Sequence, residues 1–331
     1  MSERMTNTDQ AEIYRKGLLN GDRRLLSRAI TLIESSLPLH QQIAGELLDT
    51  LLPYTGKAIR LGITGVPGVG KSTFIESIGI YLTAKGHRIA VLAVDPSSKR
   101  SGGSILADKT RMEKLSIDPN AFIRPSPSGG TLGGVARKTR ETMLLCEAAG
   151  FDIILVETVG VGQSETTVAS MVDFFLVLML AGAGDELQGI KKGVLELADA
   201  VVINKADGDN IKKAQYARKQ YENALHLLRP SSAVWSPPVQ TCSALEHSGM
   251  DQVWDMILSH REKTVAASEF AMKRKRQSLD WMWSMVEDGL QVRFEKNQNV
   301  KKELPGILAA VEKGEISPTA AANRLLFFLD N

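Results

Sequence analysis

The sequence predicts an α/β domain in which a mostly parallel β-sheet is covered by helices on both faces. The first observation is a series of nearly continuous Val/Ile/Leu segments of strand length that alternate with helical stretches. Strands buried on both faces of a parallel sheet have this composition. The second observation is that polar clusters directly follow these segments, where such sheets bind their ligands. The predicted strands are residues 58–64, 88–94, 152–156, 173–181, 200–204 and 239–242.

Composition limits the classes of partner and compartment. The chain has 331 residues, of which 43% are hydrophobic, so it is long enough for a large buried core. A net charge of +2 gives no general reason to expect nucleic acid or an anionic membrane as a partner. Two cysteines cannot build a disulfide framework, and scattered histidines without a C-x-x-C predict no zinc site. The amino terminus is polar and the longest apolar run, residues 174–181, is too short to span a bilayer, so we expect a cytoplasmic protein.

Three parts are predicted along the chain. Residues 1–56 read as an N-terminal helical extension, residues 57–261 as the nucleotide-binding domain, and residues 262–331 as a helical arm for self-association. We expect a turn with a new helix cap at residues 20–22. In the arm, residues 305–306 (Pro-Gly) are expected to break the helix before a last one over 318–328. One face of the arm carries apolar side chains at helical spacing: Leu279, Met282, Trp283, Val286 and Leu290.

A basic run in the arm, residues 273–276, lies next to tryptophans and is compatible with nucleic-acid contact. Because the net charge is near zero, we favour a solvated helix face beside a protein interface.

Residues 65–72 read G-x-x-x-x-G-K-S between a predicted strand and a predicted helix. In this context the motif is a phosphate-binding loop, whose backbone N–H groups and helix amino terminus face a phosphate. Lys71 is expected to reach the β- and γ-phosphates, and the Ser72 hydroxyl to bind Mg²⁺. The predicted nucleotide-binding residues of this loop are Gly65, Val66, Pro67, Gly68, Val69, Gly70, Lys71, Ser72 and Thr73.

Residues 204–207 read N-K-x-D after a strand and predict guanine as the base. The Asp207 carboxylate can accept from N1–H and the exocyclic amine of guanine, whereas adenine would leave a buried carboxylate unpaired. Sites built on such bonds reject the wrong ligand by about 10⁴-fold. We expect Lys205 to lie along the base and Asn204 to tie this segment to the phosphate loop. The segment Ser243, Ala244 and Leu245 is expected to give a backbone N–H to guanine O6.

Carboxylates at strand ends predict the metal site. Glu157 ends the third predicted strand and is placed to act on Mg²⁺ directly or through water, while the Gly160 N–H is placed to sense the γ-phosphate. Asp95 and Asp108 are further acids near the metal, and Asp108 reads equally well as an acid in the first turn of a helix. Because Mg²⁺ keeps several waters, not all three acids need to touch it.

The residue after Gly160 is Val161, so the water-positioning glutamine of Ras-like GTPases is missing there. This predicts slow intrinsic hydrolysis. The activating group is expected from Gln163, from the glycine-rich loop 182–193 or from a partner. That loop has a second reading as an ordinary strand-to-helix connection.

These motifs, in this order, resemble the MeaB/ArgK family of methylmalonyl-CoA-mutase-associated GTPases, which belong with the metallochaperone-type GTPases. The resemblance covers about residues 58–260. It rests on residues 65–73, 95–98, 101–108, 157–165, 184–191 and 204–207.

The resemblance implies a homodimeric Mg²⁺-dependent GTPase that binds GTP and GDP and attends an adenosylcobalamin-dependent methylmalonyl-CoA mutase. It would gate cofactor loading and protect or reactivate the mutase. By resemblance, Asp185, Gln188 and Lys191 lie in a third switch loop, and Gln188 and Lys191 join Lys71 and Glu157 as candidate catalytic residues. The His-rich or Cys-rich tracts of nickel-chaperone relatives are absent. The alternative is an ATP-dependent kinase acting on periplasmic amino-acid-binding proteins in arginine transport, which the N-K-x-D segment disfavours.

Overall fold

The structure is a computed structural model that describes residues 7–94, 112–125, 132–158, 164–182, 192–227 and 232–330. Its centre is a seven-stranded sheet in which every neighbouring pair of strands is parallel, in the order β3-β2-β4-β1-β5-β6-β7. The strands are β1 Ile59–Gly65, β2 Ile89–Val94, β3 Ala121–Arg124, β4 Ile153–Thr158, β5 Phe174–Leu180, β6 Ala200–Asn204 and β7 Val239–Thr241. The predicted α/β class with a parallel sheet is confirmed.

Helices make up most of the remaining described chain, with two short 3₁₀ turns at Leu52–Tyr54 and Gly208–Asn210. The α-helices in the described residues are α1 Asn7–Leu19, α2 Arg23–Glu34, α3 Pro38–Leu51, α4 Lys71–Ala84, α5 Glu113–Ile117, α6 Leu132–Ala148, α7 Ser164–Ala169, α8 Lys192–Glu196, α9 Ile211–His226, α10 Met250–Ala266, α11 Glu269–Lys296, α12 Gln298–Glu312 and α13 Pro318–Asp330. Within the described ranges, no helix is both long enough and apolar enough to cross a bilayer.

Helices cover both faces of the sheet because successive strand residues point to opposite sides. In β5, Phe174 and Leu176 belong to a hydrophobic cluster shared with α4 and α10, whereas Phe175 and Val177 belong to a cluster shared with α1, α2, α3, α6 and α9. A strand buried on both sides therefore needs the nearly continuous apolar sequence from which it was predicted.

The predicted turn at residues 20–22 is present between α1 and α2. Asp22 is the N-cap of α2, and its carboxylate accepts from the backbone N–H groups of Arg24 and Leu25. This cap pairs backbone N–H groups that have no partner within the first turn of a helix, and it therefore marks the start of α2.

The edge strand β3 has no counterpart among the predicted strands. It is only four residues long, pairs with β2 alone and includes a half-buried Arg124. A short edge strand lacks the long apolar run of strands buried on both faces, so its sequence does not stand out.

The expected break at Pro305 and Gly306 is wrong, because both residues lie inside α12. Helices α11 and α12 instead separate at Asn297, whose side chain accepts from the N–H groups of Asn299 and Val300. A proline removes one backbone N–H from a helix, whereas an N-cap asparagine with an extended backbone starts a new one.

The chain divides into two compact units, Met1–Lys275 and Arg276–Asn331. The first unit contains the sheet and the helices on both of its faces. The second contains the rest of α11 together with α12 and α13. The predicted boundaries after residues 56 and 261 stay predictions.

The basic run 273–276 divides into two kinds of residue. We expected this run to form a solvated helix face, but the Arg274 side chain is only 15% exposed. Its guanidinium makes a two-pronged contact with the Asp173 carboxylate, with both N–O distances at 2.7 Å. Arg276, by contrast, keeps 85% of its side chain exposed. The run is therefore partly an internal ion pair of the first unit.

Candidate functional site

The phosphate loop connects β1 to α4 at the carboxyl edge of the sheet, as predicted. Gly70 is the N-cap of α4 with a φ of 88°, a left-handed conformation that favours glycine. A Cβ at Gly65 would lie 2.5 Å from the carbonyl oxygen of Leu178 in β5. These two glycines are required by backbone conformation and by close approach of a neighbouring strand, and they leave the α4 amino terminus open toward the loop.

Lys71, the first residue of α4, points back into this loop. Its Nζ donates to the backbone carbonyl of Gly65 over 2.9 Å. Burial lowers the pKa of the Lys71 amine, and the negative charges of Glu157 and Glu165 oppose that change. An ammonium group held in a loop of backbone donors is suited to binding a phosphate.

Glu157 and Ser72 bring oxygen atoms together beside the loop. Glu157 lies near the end of β4 with 7% of its surface exposed, and its Oε1 is 3.5 Å from the Ser72 hydroxyl. Carboxylate and hydroxyl oxygens are hard donors of the kind that Mg²⁺ takes, so this pair fits that ion. Within the described residues no group of three His, Cys, Asp or Glu side chains forms a ready metal cluster. Asp95 and Asp108 lie outside those residues.

Asn204 ends β6 and joins the base segment to the phosphate loop. It is almost completely buried, and its Nδ2 donates to the carbonyl of Val69 over 2.8 Å. Its Oδ1 accepts from the Ala244 backbone N–H at 3.0 Å and from the Cys242 thiol at 3.5 Å. Both ends of one buried amide are thus used, so its orientation is fixed by its partners.

Lys205 makes a second connection to the phosphate loop, with its Nζ donating to the Gly68 carbonyl over 2.9 Å. Its φ of 60° turns the chain sharply after β6. The lysine side chain therefore reaches from the end of β6 to the phosphate loop, and its contact with the base stays a prediction.

Asp207 lies beside the loop that follows β7. The Ser243 hydroxyl donates to the Asp207 carboxylate and accepts from the Glu246 backbone N–H. The Ala206 N–H donates to the Cys242 carbonyl, which fixes the two segments side by side. Leu245 projects outward with 76% of its surface exposed. The carboxylate and the loop proposed to read guanine are therefore neighbours, although they are far apart in sequence.

Other predicted site residues lie outside the described residues. They are Asp95, Asp108, Gly160, Gln188 and Lys191, together with Val161, Gln163 and Asp185. Their roles remain expectations from the sequence.

Two residues near the site were not assigned a role from the sequence. Glu165 is buried, with 3% of its surface exposed, and its charge acts on Lys71. The Cys242 thiol contacts Asn204, and burial raises its pKa to about 12, so it remains a neutral donor. Glu165 is the last residue of the motif 157–165, so the motif could have pointed to a role for it. Nothing in the local sequence points to Cys242.

Comparison with known proteins identifies the family. A family model described as methylmalonyl-CoA mutase-associated GTPase MeaB matches residues 26–299. The chain belongs to the MeaB family of GTPases. The predicted family and the predicted GTPase class are both confirmed.

Similar proteins carry related names. A Caulobacter vibrioides protein named as a GTPase is 60% identical over 309 residues, 93% of this chain and 94% of the relative. GTPase ArgK of Escherichia coli is 48% identical over 319 residues, 96% of each chain. A crystal structure of a protein called LAO/AO transport system kinase has 41% identity and a TM-score of 0.80, and the match covers 99% of this chain and 100% of that one. The fold is therefore that of this solved protein over nearly the whole chain.

Proposed function

We propose that this chain is a Mg²⁺-dependent GTPase that acts as a chaperone for an adenosylcobalamin-dependent methylmalonyl-CoA mutase. The observation that carries the nucleotide part is the buried Asn204 amide, which joins the Asp207 segment to the phosphate loop at Val69. A single nucleotide bound across that joint would place its phosphates at Lys71 and its base at Asp207. The Asp207 carboxylate would accept from N1–H and the exocyclic amine of guanine, and adenine does not offer this pair of donors.

Mg²⁺ would be held by Ser72, with Glu157 acting on it directly or through a bound water. Bound there, the ion would neutralise charge on the phosphates. Lys71 would bind the β- and γ-phosphates, and buried Glu157 would keep the Ser72 hydroxyl oriented. Asp95 and Asp108 remain candidate metal-associated acids, and Gln188 and Lys191 remain candidate catalytic residues. Slow intrinsic hydrolysis is expected because Val161 replaces a water-positioning glutamine.

The partner follows from the family description, which names a GTPase associated with methylmalonyl-CoA mutase. We infer that the nucleotide state gates cofactor loading onto that enzyme and supports its protection and reactivation. We also infer a homodimer formed through the arm, since five large apolar side chains on one face of α11 remain exposed in the single chain. Such a face is usually covered by another protein surface.

The test combines the purified chain with an adenosylcobalamin-dependent methylmalonyl-CoA mutase. We expect GTP hydrolysis that requires Mg²⁺ and accelerates when the mutase is added, and loading of adenosylcobalamin that depends on the nucleotide. Lys71→Ala should abolish hydrolysis and serves as the inactive control. Two results together would contradict the chaperone role: the mutase does not change the rate of GTP hydrolysis, and the two proteins do not co-purify. The GTPase activity itself would still stand.

The second candidate is the transport-system kinase, favoured by the name of the solved relative with 41% identity. Under that hypothesis, labelled phosphate from ATP would appear on a periplasmic amino-acid-binding protein. Under our proposal it would come from GTP and appear only as free phosphate. Incubation with each labelled nucleotide and the binding protein decides between them.

A further inference from the structure

The loop that follows β7 is held by more than the base motif. Ser243 and Ser248 exchange two backbone hydrogen bonds, of 3.1 and 3.0 Å, and so close a four-residue turn between them. At the end of this loop, a Cβ at Gly249 would lie 2.9 Å from the Thr241 carbonyl. The turn is therefore closely packed against the end of β7, and its position depends on the contacts it makes.

One of those contacts reaches the helix of the phosphate loop. The His247 Nδ1 and the Ser77 hydroxyl lie 2.7 Å apart in a hydrogen bond. Ser77 is buried in α4, less than two turns after Lys71, whereas His247 is exposed and has a left-handed φ of 55°. Few residues other than glycine adopt that conformation, and Asn, Asp and His do so most often. From this conformation the His247 ring reaches Ser77 of α4.

The helices behind this contact are packed together. Ile75 and Ile78 of α4 lie in the same hydrophobic cluster as Met250, Val253 and Trp254 of α10, the helix that begins directly after the turn. The turn lies between two anchored ends, β7 and α10, and its residues 245–248 are exposed. The His247 bond adds a contact from the tip of the turn to α4.

We propose that His247 is a positioning residue for guanine recognition, and that its hydrogen bond to Ser77 sets the position of Ala244 and Leu245 over the nucleotide base. This inference rests on the proposed guanine site. The base loop is then held at two places, through Asn204 to the phosphate loop and through His247 to helix α4. Loss of the second contact loosens the base loop and leaves the phosphate contacts of Lys71 intact.

The experiment uses the full chain, four single variants and the double variant of Ser77→Ala with His247→Gly. Ser77→Ala removes the partner, and alanine suits a helix. His247→Gly removes the ring while still permitting the left-handed backbone. His247→Asn keeps that backbone and places a polar atom the same number of bonds from Cα, so it is the conservative rescue. Ser284→Ala, in an exposed part of α11, is the matched control.

We expect Ser77→Ala and His247→Gly each to weaken GDP binding about three- to tenfold, as for loss of one hydrogen bond. The KM for GTP should rise by the same factor while kcat at saturating GTP and Mg²⁺ stays unchanged. The double variant should be no worse than either single one, because both remove the same bond. His247→Asn and Ser284→Ala should bind GDP as the unchanged protein does.

Calorimetry with GDP and with ADP, and competition by inorganic pyrophosphate, which has no base, measure these outcomes. A loss of GDP binding that pyrophosphate binding shares equally would overturn the proposal, since it would mean a disturbed phosphate loop. Unchanged GDP affinity in both single variants would also overturn it. An unmodified protein with no preference for GDP over ADP would instead contradict the guanine site itself, so the two failures are distinguishable.

Discussion

The Asn204 Nδ2 atom donates to the Val69 carbonyl over 2.8 Å, which joins the end of β6 to the phosphate loop after β1. The two strands are not neighbours, because β5 lies between them. A side chain therefore makes the connection that backbone pairing cannot. We therefore expect a nucleotide that contacts both segments to depend on this amide for binding.

Replacing Asn204 with alanine should damage both stability and binding. The Val69 carbonyl and the Ala244 N–H would each lose a partner in the interior, which costs about 2 to 4 kcal/mol of unfolding free energy in total. GDP affinity should fall at least about tenfold. Chemical denaturation and calorimetry measure the two effects.

Asn223→Ala is the matched control, because Asn223 is exposed on α9. It should leave unfolding free energy and GDP affinity unchanged. An Asn204→Ala variant as stable as the unchanged protein would contradict the bridging role of this amide.

Glu157→Gln should separate hydrolysis from binding. The amide keeps the size of the carboxylate beside Ser72 but removes its charge, so a metal-associated role predicts a fall in Mg²⁺-dependent GTP hydrolysis of about 10- to 100-fold. GDP affinity measured without Mg²⁺ should change less than about threefold, since guanine and phosphate contacts remain. Glu113→Gln, exposed in α5, is the control. An unchanged rate would remove Glu157 from the metal site.

Arg274→Met should destabilise the first unit. Asp173 is buried, with 4% of its surface exposed, and its carboxylate also accepts from the Arg60 backbone N–H. Removing the guanidinium leaves an uncompensated buried charge, which costs about 3 to 5 kcal/mol of unfolding free energy. The double variant Asp173→Asn with Arg274→Met should recover part of that loss.

Arg276→Met is the neighbouring control, since its 3.8 Å contact with Asp280 is exposed. It should change the unfolding free energy by less than about 0.5 kcal/mol. Equal effects of the two arginine variants in denaturation would contradict the internal ion pair.

His260 predicts a pH dependence of stability. Its ring makes T-shaped contacts with the rings of Phe174 and Trp235, and burial lowers its pKa below 6.5, opposed by the Asp199 carboxylate. Below pH 6.5 the unfolded chain binds more protons here than the folded chain, so this residue makes stability fall as pH drops from 6.5 to the lower folded pKa. His260→Leu should therefore lose less stability between pH 7.5 and pH 5.

Denaturation at several pH values tests this slope, and His226→Gln, exposed at the end of α9, is the control. An identical slope in the unchanged protein and in His260→Leu would show that His260 does not titrate in this range.

The apolar face of α11 predicts self-association. Trp283 and Val286 remain exposed in the second unit, at 59% and 42%. Trp283→Glu would place a charge in the centre of that face, so we expect a dimer in the unchanged protein and a monomer in this variant by analytical ultracentrifugation. Asp288→Lys, on the opposite side of the helix, should remain dimeric. A monomeric unchanged protein would contradict the proposal.

The sequence predicted the parts of the fold whose signal is local. The strands β1, β2, β4, β5 and β6 are mostly apolar because both of their faces are buried, and they were recognised for that reason. The short edge strand β3 and the uninterrupted helix through Pro305 were not recognised. Strand β3 forms because it pairs with β2. The Asn297 cap sets the point where α11 ends and α12 begins.

For the candidate site, residue patterns alone predicted the chemistry: G-x-x-x-x-G-K-S predicts phosphate binding, N-K-x-D predicts guanine, and a carboxylate at the end of a strand predicts a metal ion. Residue types at fixed spacing carry that information, because one turn or one strand end positions them. Tertiary structure alone decided the partners of those residues, including Cys242 on Asn204, Asp173 on Arg274 and Ser77 on His247. These pairs are separated by 38 to 170 residues, and only the packing of the sheet and its helices brings them together.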